Sequence, residues 1–369
     1  MFKDLDPFEE GVVGRFLDVD FFSELMTVPR MGRAMHQQAM SSLLQHWELT
    51  RDGYFSMFGA FAAAKSIEMP AYDHEKNLQR GTRALKQFRL MQCPSVTSEV
   101  TPWLWLGISV LIYAHCGLGN SGTTVRRYIL QHLLELRQQG QDYTSHPGVI
   151  SLIALDIFEC LIHRRMPVLN MPLRQNVGAD AFLGVCAPLV RLCCDLATLS
   201  YNWQDGNFDE DVLAGFEAAV DCWQPTLSPD WYEEASKIET THVLSQIRVH
   251  RAMLLLFAHR LRHAFGREDA AASQMAHSIL SELDLATIAT RQPPMWTMSP
   301  FIVAALEVPD TNERSKVVRN VPKYGDKLSP KSQRMAADFL RAFWTYRDQH
   351  DGFRWIDMLH YFPPLCLYM

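Results

Sequence analysis

The stretch HCGLGNSGTTVRRY, residues 115–128, decides between two folds. Gly117, Gly119 and Gly122 stand in the order G-x-G-x-x-G, and the hydroxyls around the last glycine fit a loop that cradles phosphate in an α/β nucleotide-binding protein. That fold needs a strand before the first glycine, a helix after the third and an acid about 20 residues further on. Here TPWLWLGISVLIYAH, residues 101–115, is long enough for about four helical turns. The segment after Gly122 ends in LRQQGQD without entering a second strand. A P-loop needs Lys directly after its second conserved glycine, and Thr123 stands there. The expectation is a helix that stops at Gly117, a tight turn, and a new helix capped by Ser121 or Thr123.

Working outward, helical periodicity recurs along the whole chain and strand-like alternation is scarce. Helices are expected near 31–48, 52–67, 71–91, 97–116, 122–139, 147–164, 178–200, 209–221, 229–265, 268–287, 297–306, 310–320 and 330–349. Pro70, Pro94, Pro147, Pro225, Pro293, Pro294 and Pro330 mark their ends. SPDWYEE, from Ser228, reads as the start of the long helix, and residues 164–180 as a loop. No linker composition or fixed-period repeat divides the chain, so residues 1–369 are expected to form a single all-α domain.

The totals exclude several classes. With 48% hydrophobic and 21% charged residues the chain has the balance of a folded protein. A net charge of -6 and the lack of a dense Lys/Arg stretch argue against direct nucleic-acid binding. No basic-then-apolar leader opens the sequence and no long apolar run suggests a membrane span, so the expected location is intracellular, in nucleus or cytoplasm. The eight cysteines form no paired framework and no C-x-x-C, and are expected to be reduced core residues.

No metal or cofactor is expected. His259 and His263 are i, i+4 on one helix, but no third ligand accompanies them and Arg260 and Arg262 sit alongside; FAHRLRHAF reads as a solvated basic face. NFDEDV, residues 207–212, is acidic but lacks the second metal motif of class I terpene cyclases and reads as a helix start. Neither G-x-S-x-G nor a papain-like cysteine context occurs.

Two helices carry polar rows on apolar surfaces. Asp156, Glu159 and His163 follow i, i+3, i+7, and Glu239, His242, Gln246 and His250 form a second row that leads into the apolar block 252–258. The plain alternative is that both rows face water or pair locally. If they converge instead, with Trp103, Trp105, Tyr113 and Trp296 as apolar walls, they line a pocket for a small apolar molecule. In that case His163 and His242 are the candidate proton-transfer groups, Asp156 and Glu239 their orienting carboxylates, and Glu159, Arg164 and Arg248 ligand-binding groups.

The order of segments resembles the regulatory domain of fungal zinc-cluster transcription factors. MHQQAMSSLLQHW, NLQRGTRALKQFRL and PWLWLGISVLIYA carry the early part of the resemblance. ASKIETTHVLSQIRVHRAMLLLFAHRL and PPMWTMSPFIVAALEVPDTNERSKVVRNV carry the late part, where Trp296, Pro300, Phe301, Ala304 and Glu307 follow a W-p-l-f-i-A-g-x-E pattern. One family position that is often Gly is Ala305 here. The six-cysteine cluster that reads DNA in that family is absent, since the first cysteine is Cys93. The resemblance implies an all-α regulatory protein without its own DNA-binding module. It would bind a small apolar metabolite or a partner, including a DNA-binding regulator. The competing expectation is a repurposed, metal-free cyclase or isomerase acting on a polyketide or terpenoid intermediate.

Overall fold

The computed structural model describes residues 4–16, 36–37, 40–41, 44–69, 71–91, 97–141, 143, 146–170, 187–203, 209–225, 229–325, 329–362 and 365. Its fold is all-α, and no strand occurs among the described residues. Contacts group the chain into two compact units, residues 1–152 with 328–331 and residues 153–327 with 332–369.

The first unit contains α1 (Pro7–Phe16), α2 (Trp47–Ala64), α3 (His74–Leu90), α4 (Thr97–Leu118), α5 (Thr123–Gln138) and the start of α6 (Pro147–His163). Aspartates set the starts. Asp73 accepts from the backbone N–H of Glu75 and Lys76 to open α3, and Asp6 and Glu9 cap α1 reciprocally, each carboxylate accepting from the other's N–H. Helix α2 packs against both α3 and α4. Close approach is licensed by glycine: a Cβ on Gly81 would stand 2.3 Å from the Tyr113 ring, and one on Gly59 2.5 Å from Asn77 Oδ1.

The decisive glycine stretch is a helix–turn–helix. Helix α4 runs one residue past Gly117, to Leu118, and Gly119 and Gly122 take left-handed φ values of 60° and 61°. The capping expectation is corrected here. Gly122 itself holds the N-cap position of α5 and supplies no side chain, while the Ser121 hydroxyl, one residue earlier, accepts from Thr123 N–H at 3.5 Å and bonds to the Thr123 hydroxyl at 2.7 Å. Lys331 Nζ closes the other end by donating to Leu118 O. One further correction concerns Val100–Leu118. This segment does reach the length and hydropathy of a membrane span, and its apolarity is accounted for by burial of 72% of it within the fold.

The second unit holds the rest of α6, then α7 (Ala187–Asn202), α8 (Glu210–Cys222), α9 (Pro229–Glu234), α10 (Lys237–Arg262), α11 (Asp269–Thr290), α12 (Met298–Leu306), α13 (Thr311–Tyr324), α14 (Pro330–Arg347) from Ser332 onward, and α15 (Trp355–Met358). The single helix expected over 229–265 is two. Helix α9 stops at Glu234, and Ser236 opens α10 with a full capping box: its hydroxyl accepts from Glu239 N–H while the Glu239 carboxylate accepts from Ser236 N–H. Asp209 and Asp310 cap α8 and α13 with their carboxylates alone, Asp209 accepting from the N–H of Asp211 and Val212 and Asp310 from that of Glu313. Helix α12 is buried along its whole length, and α10 packs against α11, α12, α8 and α7. Among the described cysteines, Cys160, Cys193 and Cys194 are buried and Cys222 is exposed.

Candidate functional site

Helix α10 directs its polar row at one turn. His242 Nε2 bonds to Thr290 Oγ1 at 2.9 Å and to Gln292 O at 3.1 Å, and Gln246 Nε2 donates to Met295 O at 2.7 Å. These bonds fix the backbone between α11 and α12, where Trp296 is buried with φ of 60°. A bulky residue in the left-handed region is strained, and it persists where surrounding bonds over-determine it. The structure thus brings His242, Gln246 and Trp296 to one turn, and Glu239 has its bonds at the capping box. His250 lies in the core beside Phe158, bonded to Gln246 O, and burial lowers its pKa to about 4.

The row on α6 is also placed in detail. Asp156 is 1% exposed and accepts from Val168 N–H at 2.8 Å, so it anchors the chain as it leaves the helix. Glu159 lies 3.8 Å from Arg165. His163 is half-buried, and burial together with Arg165 lowers its pKa. Arg164 pairs with Asp357 and donates from Nε to Ser200 O, closing the C-terminal turn of α7. Arg248 is exposed and pairs with Glu282 across α10 and α11. In the first unit Trp103 is fully buried and stacked on Phe88, Trp105 lies against His146, and Tyr113 packs over Gly81. All three aromatic side chains are core residues there.

The segment FAHRLRHAF departs from the solvated basic face expected of it. Arg260 is 1% exposed and forms two bonds to Glu307, Nε to Oε1 at 2.9 Å and Nη2 to Oε2 at 2.6 Å, with Asp269 also 2.9 Å away. Its guanidinium lies 4.3 Å from the Phe265 ring centre. Burial lowers the Arg260 pKa, and the two carboxylates more than offset it, so the net shift is upward. His259 Nε2 donates to Glu268 O at 3.1 Å, and no group of three or more metal-ligating side chains occurs among the described residues.

Sequence reasoning missed a polar cleft of about 560 Å³ in the first unit, built by α1, α2 and α3. Its floor is ionic. Arg80 reaches Asp6 at 2.5 Å and Glu9 at 3.4 Å, Arg51 reaches Glu9 at 2.5 Å and the Asp4 carbonyl at 3.1 Å, and Arg83 holds Asp52 with two bonds of 2.7 and 2.8 Å. The hydrogen bond from Arg51 to Glu9 raises the guanidinium pKa, and Asp52 does the same for Arg83. The side chains of Arg80 and Glu9 are 7% and 6% exposed, while Glu48, Lys76 and Gln79 complete the lining. The lining holds acids, bases and one amide, a set that suits recognition of a charged group. Two signals were present in the sequence: the D-x-x-E cap at residues 6–9 and the basic row Lys76, Arg80, Arg83 at i, i+4, i+7 on α3.

The chain matches no protein-family model, no curated protein and no solved structure.

Proposed function

We propose that this chain is a regulatory protein built on a helical scaffold akin to the regulatory domain of fungal zinc-cluster transcription factors, and that it acts by binding a partner protein or a small metabolite. One observation carries this reading. The two late segments on which the resemblance rests meet through a buried ion pair, Arg260 from the first and Glu307 from the second, beside the bond from Gln246 to Met295 O. Glu307 ends the W-to-E pattern at the C-terminus of the buried helix α12, so this patterned residue ties α12 to α10. Patterns with a packing cause of this kind belong to a scaffold.

The regulatory reading is favoured over the enzymatic one by the partners of the candidate catalytic groups. Glu239 caps a helix, His242 fixes a turn and Asp156 anchors the strand of chain after α6. Each bond orients its group toward the protein's own backbone.

The test is affinity capture from fungal nuclear extract with the full chain as bait, run beside incubation of the chain with a fungal metabolite extract followed by mass spectrometry. Enrichment of a zinc-cluster DNA-binding protein, or retention of an unchanged metabolite, is the expected result. Appearance of a new product that disappears with His163→Ala and His242→Ala would replace this reading by the enzymatic one.

A further inference from the structure

The clearest feature outside that reading is the way α1 sits on α2 and α3. Its first turn, Asp6-Pro7-Phe8-Glu9, is inserted like a plug. The Phe8 ring is 2% exposed, with Phe55 at 6.4 Å, Tyr72 at 5.8 Å and the Arg80 guanidinium 4.9 Å from its centre. Around that ring, Asp6 and Glu9 take Arg80, and Glu9 also takes Arg51. The receiving surface on α2 and α3 is therefore an aromatic slot bordered by two arginines. Of the carboxylates that α2 brings to the cleft, Glu48 and Asp52, the second is already bonded to Arg83.

The hold on α1 is reversible in kind. A helix of ten residues is shorter than the roughly 12–15 that form alone in water, so α1 owes its structure to docking. Val12 is the other fully buried apolar side chain among the described ones of α1. Asp6 is 40% exposed, so its bond to Arg80 is open to screening by salt.

We propose that the slot between α2 and α3 is a receptor for a short acidic segment with a central aromatic residue, filled in cis by Asp6–Glu9 and open to a partner protein's segment of the same chemistry that displaces α1. A trans segment has the same three demands to meet: a ring for the slot, a carboxylate between Arg51 and Arg80, and a second carboxylate for Arg80. Charge complementarity selects the partner, because an uncharged aromatic segment would leave the buried Arg80 without a counterion. The inference stands on the geometry of the first unit and holds whatever the output of the whole chain.

The test uses a fluorescein-labelled peptide of residues 4–16, DLDPFEEGVVGRF, titrated by fluorescence anisotropy into the full-length protein and into full-length Phe8→Ala/Glu9→Gln. The tethered plug competes at an effective concentration near the millimolar range, so the variant binds the peptide at least about 10-fold more tightly than the wild type. A peptide carrying Phe8→Ala loses this binding, as does Arg80→Gln in the variant background. Equal binding by both proteins, no binding by the variant, or binding indifferent to Phe8 of the peptide overturns the proposal. If the variant fails to fold by circular dichroism, hydrogen exchange on the wild type decides. Amides of α1 then exchange faster with saturating peptide and on going from about 50 to about 500 mM NaCl, while those of α4 are unchanged. No change in α1, or an equal change in α4, refutes it.

Discussion

Glu307→Ala is expected to be among the most destabilising single changes in the second unit. The substitution leaves Arg260, 1% exposed, without the carboxylate that makes both of its shortest bonds. Removing one member of a buried pair costs about 3–5 kcal/mol, because the remaining charge is desolvated and uncompensated. Asp269 stays 2.9 Å from the guanidinium, yet it is 39% exposed, and a solvent-screened partner of that kind recovers about 1 kcal/mol at most. The net loss is therefore about 2–4 kcal/mol, or roughly 4–16 °C in Tm for a cooperative unit of about 150–250 residues. Urea denaturation followed by far-UV circular dichroism measures it. The companion variant Arg260→Met/Glu307→Leu removes both charges together and costs less than either single change. A loss below about 1 kcal/mol for Glu307→Ala, or a double variant worse than the sum of the singles, would refute the claim that this pair fastens α10 to α12.

Other expectations concern acid, packing and thiol chemistry. His250 and His146 both have pKa values lowered by burial to about 4 against an unfolded value of 6.5, so the unfolded chain binds the extra protons; stability is lost as pH falls from about 6.5 to about 4, and His250→Leu flattens that limb in pH-dependent urea titrations. Gly81→Ala drives a methyl group into the Tyr113 ring and costs about 1–3 kcal/mol, part of which Tyr113→Leu restores in the same background when the two are compared by thermal melting. In thiol labelling by mass spectrometry, exposed Cys222 reacts before the buried Cys160, Cys193 and Cys194. Cys194, whose thiol is pushed up to about 11 chiefly by burial, reacts only on denaturation; labelling of Cys194 at the rate of Cys222 would contradict its placement.

What could be read in advance divides along the distance between partners in the chain. The all-α class and most helix ends were legible, because Asp73, Asp209 and Asp310 act within three residues of themselves. The break at residues 235–236 was legible too, in the S-x-x-E of residues 236–239, but the apolar periodicity running through it outweighed a four-residue signal. Arg260 looked like part of a wet basic face because its counterion, Glu307, is far along the chain. The ionic floor of the cleft was hidden for the same reason: Glu9, Arg51 and Arg80 come from three helices, and each alone has the appearance of an ordinary surface charge. For α6 and α10 the polar rows were recognised, while their targets, the 290–295 turn and Val168 N–H, lay in segments without periodicity.

The burial of α4 has a consequence for the birth of the protein. A segment as long and apolar as Val100–Leu118 is a hazard while it leaves the ribosome, since it meets the length and hydropathy of a membrane-inserting stretch. Chain order lessens it. Helices α2 and α3, which pack on α4, are translated first, so the apolar helix emerges to partners already made, before α5 and the start of α6 are added.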